Sequence, residues 1–220
     1  MKDIIRFGLI LAFVAMAATA SLSWVNAITK PRILEQEKQA IQQALTNVLP
    51  DCEQGVIVPV EWDNQIHYYL GYTHADTTDL KGVAFQALSP GYSSTIKTMV
   101  GMDTTGRIFS ICVLSQKETP GLGTRVQEIK SGDTQPWWQA QFANQPAMEL
   151  SVDKDGGMIE SVTGATITSR AITNGIANGA KQVYGYLHHK QMDGATGASI
   201  TTETIMNQAY QSKSNKKSTI

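Results

Sequence analysis

Glu160-Ser161-Val162-Thr163-Gly164-Ala165-Thr166-Ile167-Thr168-Ser169-Arg170 is a short turn rich in hydroxyls that opens directly onto a helical pattern. Downstream, Ile172, Ile176, Ala180, Val183, Tyr184 and Leu187 recur at three- and four-residue steps, the stripe of a helix with one buried face. Thr168 or Ser169 is placed to cap that helix, and His188 and His189 to end it. A helix N-terminus presents unpaired N–H groups and a partial positive charge, a setting that suits a phosphate. The hydroxyl of Thr166 therefore lies where it can meet a phosphate, by hydrogen bond or covalently. Upstream, residues 149–152 and 158–162 read as a hairpin turning through Asp155-Gly156-Gly157.

The same turn resembles the D-x-x-[ST]-G-A-T acceptor pattern of proteins that carry FMN on a threonine through a phosphoester bond. Thr163, Gly164, Ala165 and Thr166 match it, with Glu160 in place of the Asp. That departure keeps the charge and lengthens the arm. A second segment, Ser115-Gln116-Lys117-Glu118-Thr119-Pro120-Gly121-Leu122-Gly123, resembles the S-[HQ]-x-E-T-P-G-L-G segment of another protein group. That group is the G subunit of the Rnf ion-translocating electron-transport complex, a relative of the C subunit of the sodium-translocating NADH:quinone reductase. Gly91-Tyr92, Met99-Val100-Gly101-Met102-Asp103, Gly106-Arg107-Ile108 and Lys154-Asp155-Gly156-Gly157 are similar to the same family. The resemblance runs over most of residues 80–190.

The resemblance implies FMN esterified to Thr166, with Thr163, Gly164, Ala165, Ile167 and Thr168 around the attachment. Glu118, Thr119, Leu122 and Gly123 are implied as the opposite wall. Leu122 would pack on the isoalloxazine, and Glu118 and Thr119 would bond to its edge. Lys117, Arg170 and Lys154 are the candidate cations for the phosphate. The plain alternative is a helix cap, a structural turn and solvent-exposed lysines. Asp193-Gly194-Ala195-Thr196-Gly197-Ala198-Ser199 also fits the acceptor pattern and has the Asp that the first copy lacks. It ends in Ser199 and follows the long helix, so it reads as a local duplication without flavin.

The chain has 220 residues, 18 Lys and Arg against 19 Asp and Glu, and no basic stripe with interleaved aromatics. That composition gives no nucleic-acid footprint. Cys52 and Cys112 stand far apart, which excludes a CxxC metal site or an iron–sulfur cluster within the chain. They read as two buried thiols or one disulfide, the former favoured by the apolar run around Cys112. There is no dinucleotide fingerprint, so the chain is not expected to turn over NADH alone. No metal site and no acid–base catalytic residue is assigned.

Between Arg6 and Lys30 no charged residue occurs. A helix needs ~20 such residues to cross a bilayer, and Trp24 would stand at its interface. The rival reading is a cleaved secretory signal with Val25-Asn26-Ala27 as its cleavage site. Basic residues flank the run on both sides and do not decide its orientation. Either reading puts the globular part outside the cytoplasm. The resemblance implies an uncleaved anchor in the cytoplasmic (inner) membrane, with the domain on the periplasmic side.

Residues 33–49 have near-helical spacing and end at Pro50. Strand-like runs follow at 54–60, 66–72, 83–88, 96–102 and 108–114, the last two joined by Asp103-Thr104-Thr105-Gly106. Residues 137–142 read as a short helix or turn whose tryptophans pack in the core. The expected organisation is a cytoplasmic stub and transmembrane helix over 1–29 and a juxtamembrane helix over 30–50. An FMN-binding domain over 51–190 and a polar, mobile tail over 191–220 complete it.

The expected class is α+β: a single-pass N-terminal transmembrane helix, then one domain with an antiparallel sheet and packed helices. Two functions stand. One is a membrane-anchored flavoprotein subunit relaying electrons in an Rnf-type complex, which couples ferredoxin–NAD+ redox chemistry to ion movement. Its partners would be the other membrane subunits and, during maturation, a flavin transferase. The other is an envelope-anchored sensor or binding module in which the Thr163–Thr166 turn carries no flavin and only caps a helix.

Overall fold

The computed structural model describes residues 2–194, apart from 51, 53–54, 63–64, 75–76 and 78. The stretch from 195 to 220, with Ser199 and the polar tail, lies outside the described residues.

One helix, α1 (Lys2–Val48), runs where the sequence suggests a span and then a separate amphipathic helix. Pro31 lies inside it. A proline there removes one backbone bond, and good helix formers on both sides carry the helix through. The apolar part has a mean hydropathy of 2.0 and is long enough to cross a bilayer. The chain divides into two compact units, residues 1–43 and 44–220. The last turn of α1 belongs to the second.

Among the described residues of that second unit, five strands form one antiparallel sheet in sequence order. They are β1 (Val56–Trp62), β2 (Gln65–Tyr72), β3 (Leu80–Pro90), β4 (Thr95–Asp103) and β5 (Ile108–Ser115). Period-two alternation gives the sheet two different faces. Val83, Phe85, Ala87 and Ser89 of β3 share one face with Ile96, Thr98, Val100 and Met102 of β4, and all are buried. The helix α3 (Thr166–Gly194) covers that face with Ile172, Ile176, Ala180 and Val183. It extends past His188 and His189, where the sequence places its end. Ala44, Leu45, Val48 and Leu49 cover part of the other face. The approach is so close that a Cβ on Gly101 would fall 1.9 Å from the Val48 carbonyl oxygen.

The short helix α2 (Trp137–Ala140) plugs one end of the core. Trp138 is fully buried, its Nε1–H donates to the Glu160 carbonyl at 2.8 Å, and it meets Phe142 edge-on at 5.0 Å. Trp137 is half-buried, with the Lys130 ammonium 3.9 Å from its ring centre. Cys52 is buried, and Cys112 is a half-buried free thiol that burial pushes up.

Residues 149–162 do not form the hairpin that their pattern suggests. Two 3-10 turns, Ala147–Glu149 and Asp153–Asp155, replace it, and Val152 meets Ile159 in a single parallel bridge. Gly157 explains the change. A Cβ there would lie 2.0 Å from the Ser151 carbonyl oxygen, so the chain folds back too tightly for a ladder.

Candidate functional site

Gly164 takes a left-handed φ of 78°, and Ala165 N–H donates to the Val162 carbonyl at 2.9 Å. This turn starts α3 at Thr166, earlier than a cap at Thr168 or Ser169 requires. The first bond into the helix is Ser169 N–H to the Ala165 carbonyl, at 3.0 Å. The amides of Thr166, Ile167 and Thr168 therefore precede the intrahelical ladder. Thr163 and Gly164 are exposed, Thr166 is half-buried and Ala165 is buried. The two hydroxyls expected to cap serve elsewhere. Ser169 Oγ accepts from Val162 N–H at 3.0 Å, and Thr168 Oγ1–H donates to Glu118 Oε2 at 2.7 Å.

Glu118 is only 5% exposed. Its carboxylate accepts from five donors: the Tyr92, Ser93 and Ser94 amides and the Ser94 and Thr168 hydroxyls. Burial pushes the carboxyl up. The bonds from Thr168, Ser93, Ser94 and Tyr92 together outweigh it, so the group sits below the ordinary glutamate range. Glu118 thus ties the turn between β3 and β4 to the first turn of α3. The sequence placed it at the edge of a flavin ring; its oxygens are instead taken up inside the protein. A Cβ on Gly123 would lie 2.7 Å from Glu118 Cβ and 2.9 Å from Thr168 Oγ1, so only glycine fits against this latch.

Around the latch, Thr119 to Gly123 form a loop. The Thr119 carbonyl accepts the Leu122 amide at 3.2 Å, closing the turn, and Thr119 itself is exposed. Leu122 is 43% exposed and reaches Gly164, where a Cβ would stand 3.0 Å from its Cδ2. Leu122 and Ile167, the latter 53% exposed, are apolar side chains beside the Thr166 turn.

Two of the three predicted cations are paired with carboxylates. Arg170 makes a two-pronged pair with Asp155, at 2.6 and 2.8 Å. Lys154 lies 3.2 Å from Asp153. Hydrogen bonding to Arg170 holds the Asp155 carboxyl low. The Ser161 hydroxyl and amide hold Asp153 low as well, at about 2. Lys117 is exposed, and its amide donates to Ser94 Oγ at 2.9 Å. Glu160 keeps an exposed position while Gln141 and Trp138 pin its backbone.

Two contributors escaped the sequence reading: the Gly91–Ser94 turn and Asp155. The available signal for the first was Ser93-Ser94 beside a hairpin, a donor-rich turn that a buried carboxylate elsewhere would need.

Residues 91–181, the stretch that carries the three converging loops, match the FMN-binding domain family. Residues 1–48 match the RnfG N-terminal region. Fold and site together define the class, an FMN-binding domain that follows a long apolar helix. The G subunit of the ion-translocating oxidoreductase complex of Stutzerimonas stutzeri is 32% identical over 176 residues, covering 78% of this chain and 75% of that protein. Its namesake from Aliivibrio fischeri is 30% identical over 203 residues, covering 84% and 91%. The chain belongs to this family of G subunits. The crystal structure of Shewanella oneidensis NqrC overlaps 50% of this chain and 52% of its own, with a TM-score of 0.39 and 24% identity.

Proposed function

We propose that this chain is the flavin-carrying, membrane-anchored subunit of an ion-translocating oxidoreductase complex, with FMN joined through its phosphate to Thr166 Oγ1. The observation that carries the reading is the position of Thr166. It is the first residue of α3, beside an exposed glycine turn, with three first-turn amides ahead of the helical ladder. A phosphate esterified there has N–H donors and the positive end of the helix dipole to balance its charge. The family match over the same residues and the shared name of the relatives support the reading.

FMN, when bound, supplies the redox chemistry; the protein supplies attachment, orientation and shielding. Thr163, Gly164 and Ala165 leave the approach to Thr166 open to a flavin transferase. Leu122 and Ile167 offer apolar surface to the ring, with Thr119 at its edge. Glu118, Gly123 and Thr168 act one step back, as positioning residues that fix the start of α3. Arg170 and Lys117 lend long-range positive charge, and the amides carry most of the load. Residues 7 to about 27 form the anchor in the cytoplasmic membrane, and the domain works on the extracytoplasmic side. A single flavin needs a donor and an acceptor, so the other membrane subunits complete the path and the isolated chain does not turn over NADH.

The test is in-gel flavin fluorescence after denaturation. With a flavin transferase coexpressed, the wild type should give a fluorescent band in the membrane fraction. Thr166→Ala should give a folded protein with no band. A band that persists in Thr166→Ala, or maps to Ser199, sinks the assignment; a band in the soluble envelope fraction replaces the anchor with a cleaved signal.

A further inference from the structure

β2 leaves β3 half-way along. Their ladder runs from Tyr72 opposite Leu80 to Tyr69 opposite Ala84, and among the described residues no strand continues it. On its other side β3 pairs with β4 as far as Pro90 opposite Thr95, and Gly91 N–H donates to the Ser94 carbonyl. Hydrogen-bonded positions alternate along an antiparallel pair. Phe85, Ala87 and Ser89 therefore turn their backbone groups toward β4, and Gln86 and Leu88 turn theirs outward.

α3 runs beside this free edge. A Cβ on Gly179 would lie 2.5 Å from the Phe85 ring, and one on Gly175 would run into Ser89 Oγ, so the helix lies against the strand. Along the contact is a groove of about 540 Å³, a size that suits a cofactor. Leu88 lines its strand side and Asn174 its helix side, and it begins at Ile167 and Arg170, next to Thr166. Asn174 is exposed, and its carboxamide has no partner among the described residues. Asn weakens a helix interior, because its side chain competes for backbone groups. Neither packing nor helix stability asks for it at this position.

We propose, on the reading that FMN is joined to Thr166, that this groove takes the pyrimidine end of the flavin, and that Asn174 and the outward backbone of Leu88 bind its edge. That edge carries two carbonyl oxygens with an N–H between them. The Asn174 carboxamide offers a donor and an acceptor side by side. Leu88 offers an N–H and a C=O that no described strand takes. The reach fits. Asn174 follows Thr166 by eight residues, about 12 Å along the helix. The ester, the ribityl chain and half the ring span about 14 Å at full stretch. Gln182 also lines the groove, but it stands about 24 Å from Thr166 and beyond that reach. The benzene end of the ring then falls back toward Ile167 and Leu122, the exposed apolar pair beside the turn. A reduced flavin carries added negative charge on its pyrimidine edge, so a donor there favours the reduced form.

The full-length chain, coexpressed with a flavin transferase and held in detergent micelles, gives the test. Asn174→Leu should label as fully as the wild type, because Thr166 is untouched. Its flavin should reduce about tenfold less favourably, a midpoint about 30 mV lower for the two-electron couple. Gln182→Leu should keep the wild-type midpoint. The Leu88 amide should exchange at least about tenfold more slowly in the labelled chain than in Thr166→Ala. An unchanged midpoint in Asn174→Leu, an equal shift in both leucine variants, or Leu88 exchange indifferent to the label would overturn the inference and leave the attachment standing. A wild type that carries no covalent label would overturn both.

Discussion

Glu118 and Thr166 sit on neighbouring loops joined through Thr168, and both loops are made of glycine, threonine and an acidic residue. Around Glu118 five donors converge on one carboxylate. Around Thr166 the amides of Thr166, Ile167 and Thr168 stand ahead of the helical ladder, beside the exposed Thr163 and Gly164. The difference follows from burial. A charge removed from water must be matched by donors or it costs several kcal/mol, so the Glu118 loop is rigid by necessity. A turn at the surface can leave its amides to solvent, and so to a ligand, at little cost. A closed loop that sets geometry next to an open one that takes the load is how a protein can hold a reacting group still and keep it accessible.

The contrast breaks most visibly at Glu118. Glu118→Ala strips five donors of their acceptor and should cost about 3 kcal/mol, lowering the thermal midpoint by about 6–12 °C. A melt that does not move, with flavin loading lost, would make Glu118 a ring contact after all. Next come two glycines on the same loop. Gly123→Ala drives a Cβ into Glu118 and Thr168 and should cost about 1–3 kcal/mol. Gly121 has a φ of 73° and no atom near its would-be Cβ, so Gly121→Ala should cost about 1 kcal/mol, from backbone strain alone. Denaturant midpoints that rank the two the other way would deny the latch its tight packing.

A smaller effect lies in the acid limb. The folded-state carboxyls of Asp153 and Glu118 both sit below their ordinary values, Asp153 at about 2. Each therefore contributes stability that is fully present above its unfolded pKa of about 4 and is lost as the pH falls through the folded value. Urea midpoints measured from about pH 5 to about pH 2 should fall less steeply in Asp153→Asn than in the wild type. An unchanged slope would mean that Ser161 does not hold this carboxylate in solution. The least effect is expected at Arg170, which shares its charge with Asp155 in an exposed pair. Arg170→Gln should leave covalent labelling within about twofold of the wild type, and a tenfold drop would show that the guanidinium grips the phosphate.

The five strands and the buried face of α3 are legible from the sequence because alternation and three-to-four spacing record burial directly. Ile172 and Ile176, for example, face the core as their spacing requires. The change from an apolar run to an amphipathic pattern near residue 30 does not mark a break, since α1 continues through Pro31. Residues 149–162 mislead because alternation there records contact with the core, while the backbone turns too tightly to pair. The commitments of the polar side chains were the least legible. Glu118 and Thr168 were both read as flavin contacts, and what occupies them lies 24 to 50 residues away in the chain. Local pattern carries no record of such a partner.

That separation has a consequence in time. The Glu118 loop is synthesised first and meets the Tyr92–Ser94 turn already made. Thr168 reaches it only after the chain has passed the whole span between them. Contacts of such long reach close late in folding. The setting of Thr166 is therefore one of the last things the domain acquires. Under the proposed attachment, an enzyme that recognises that setting would read a finished product. Loading of the proposed flavin would then double as an inspection of the fold.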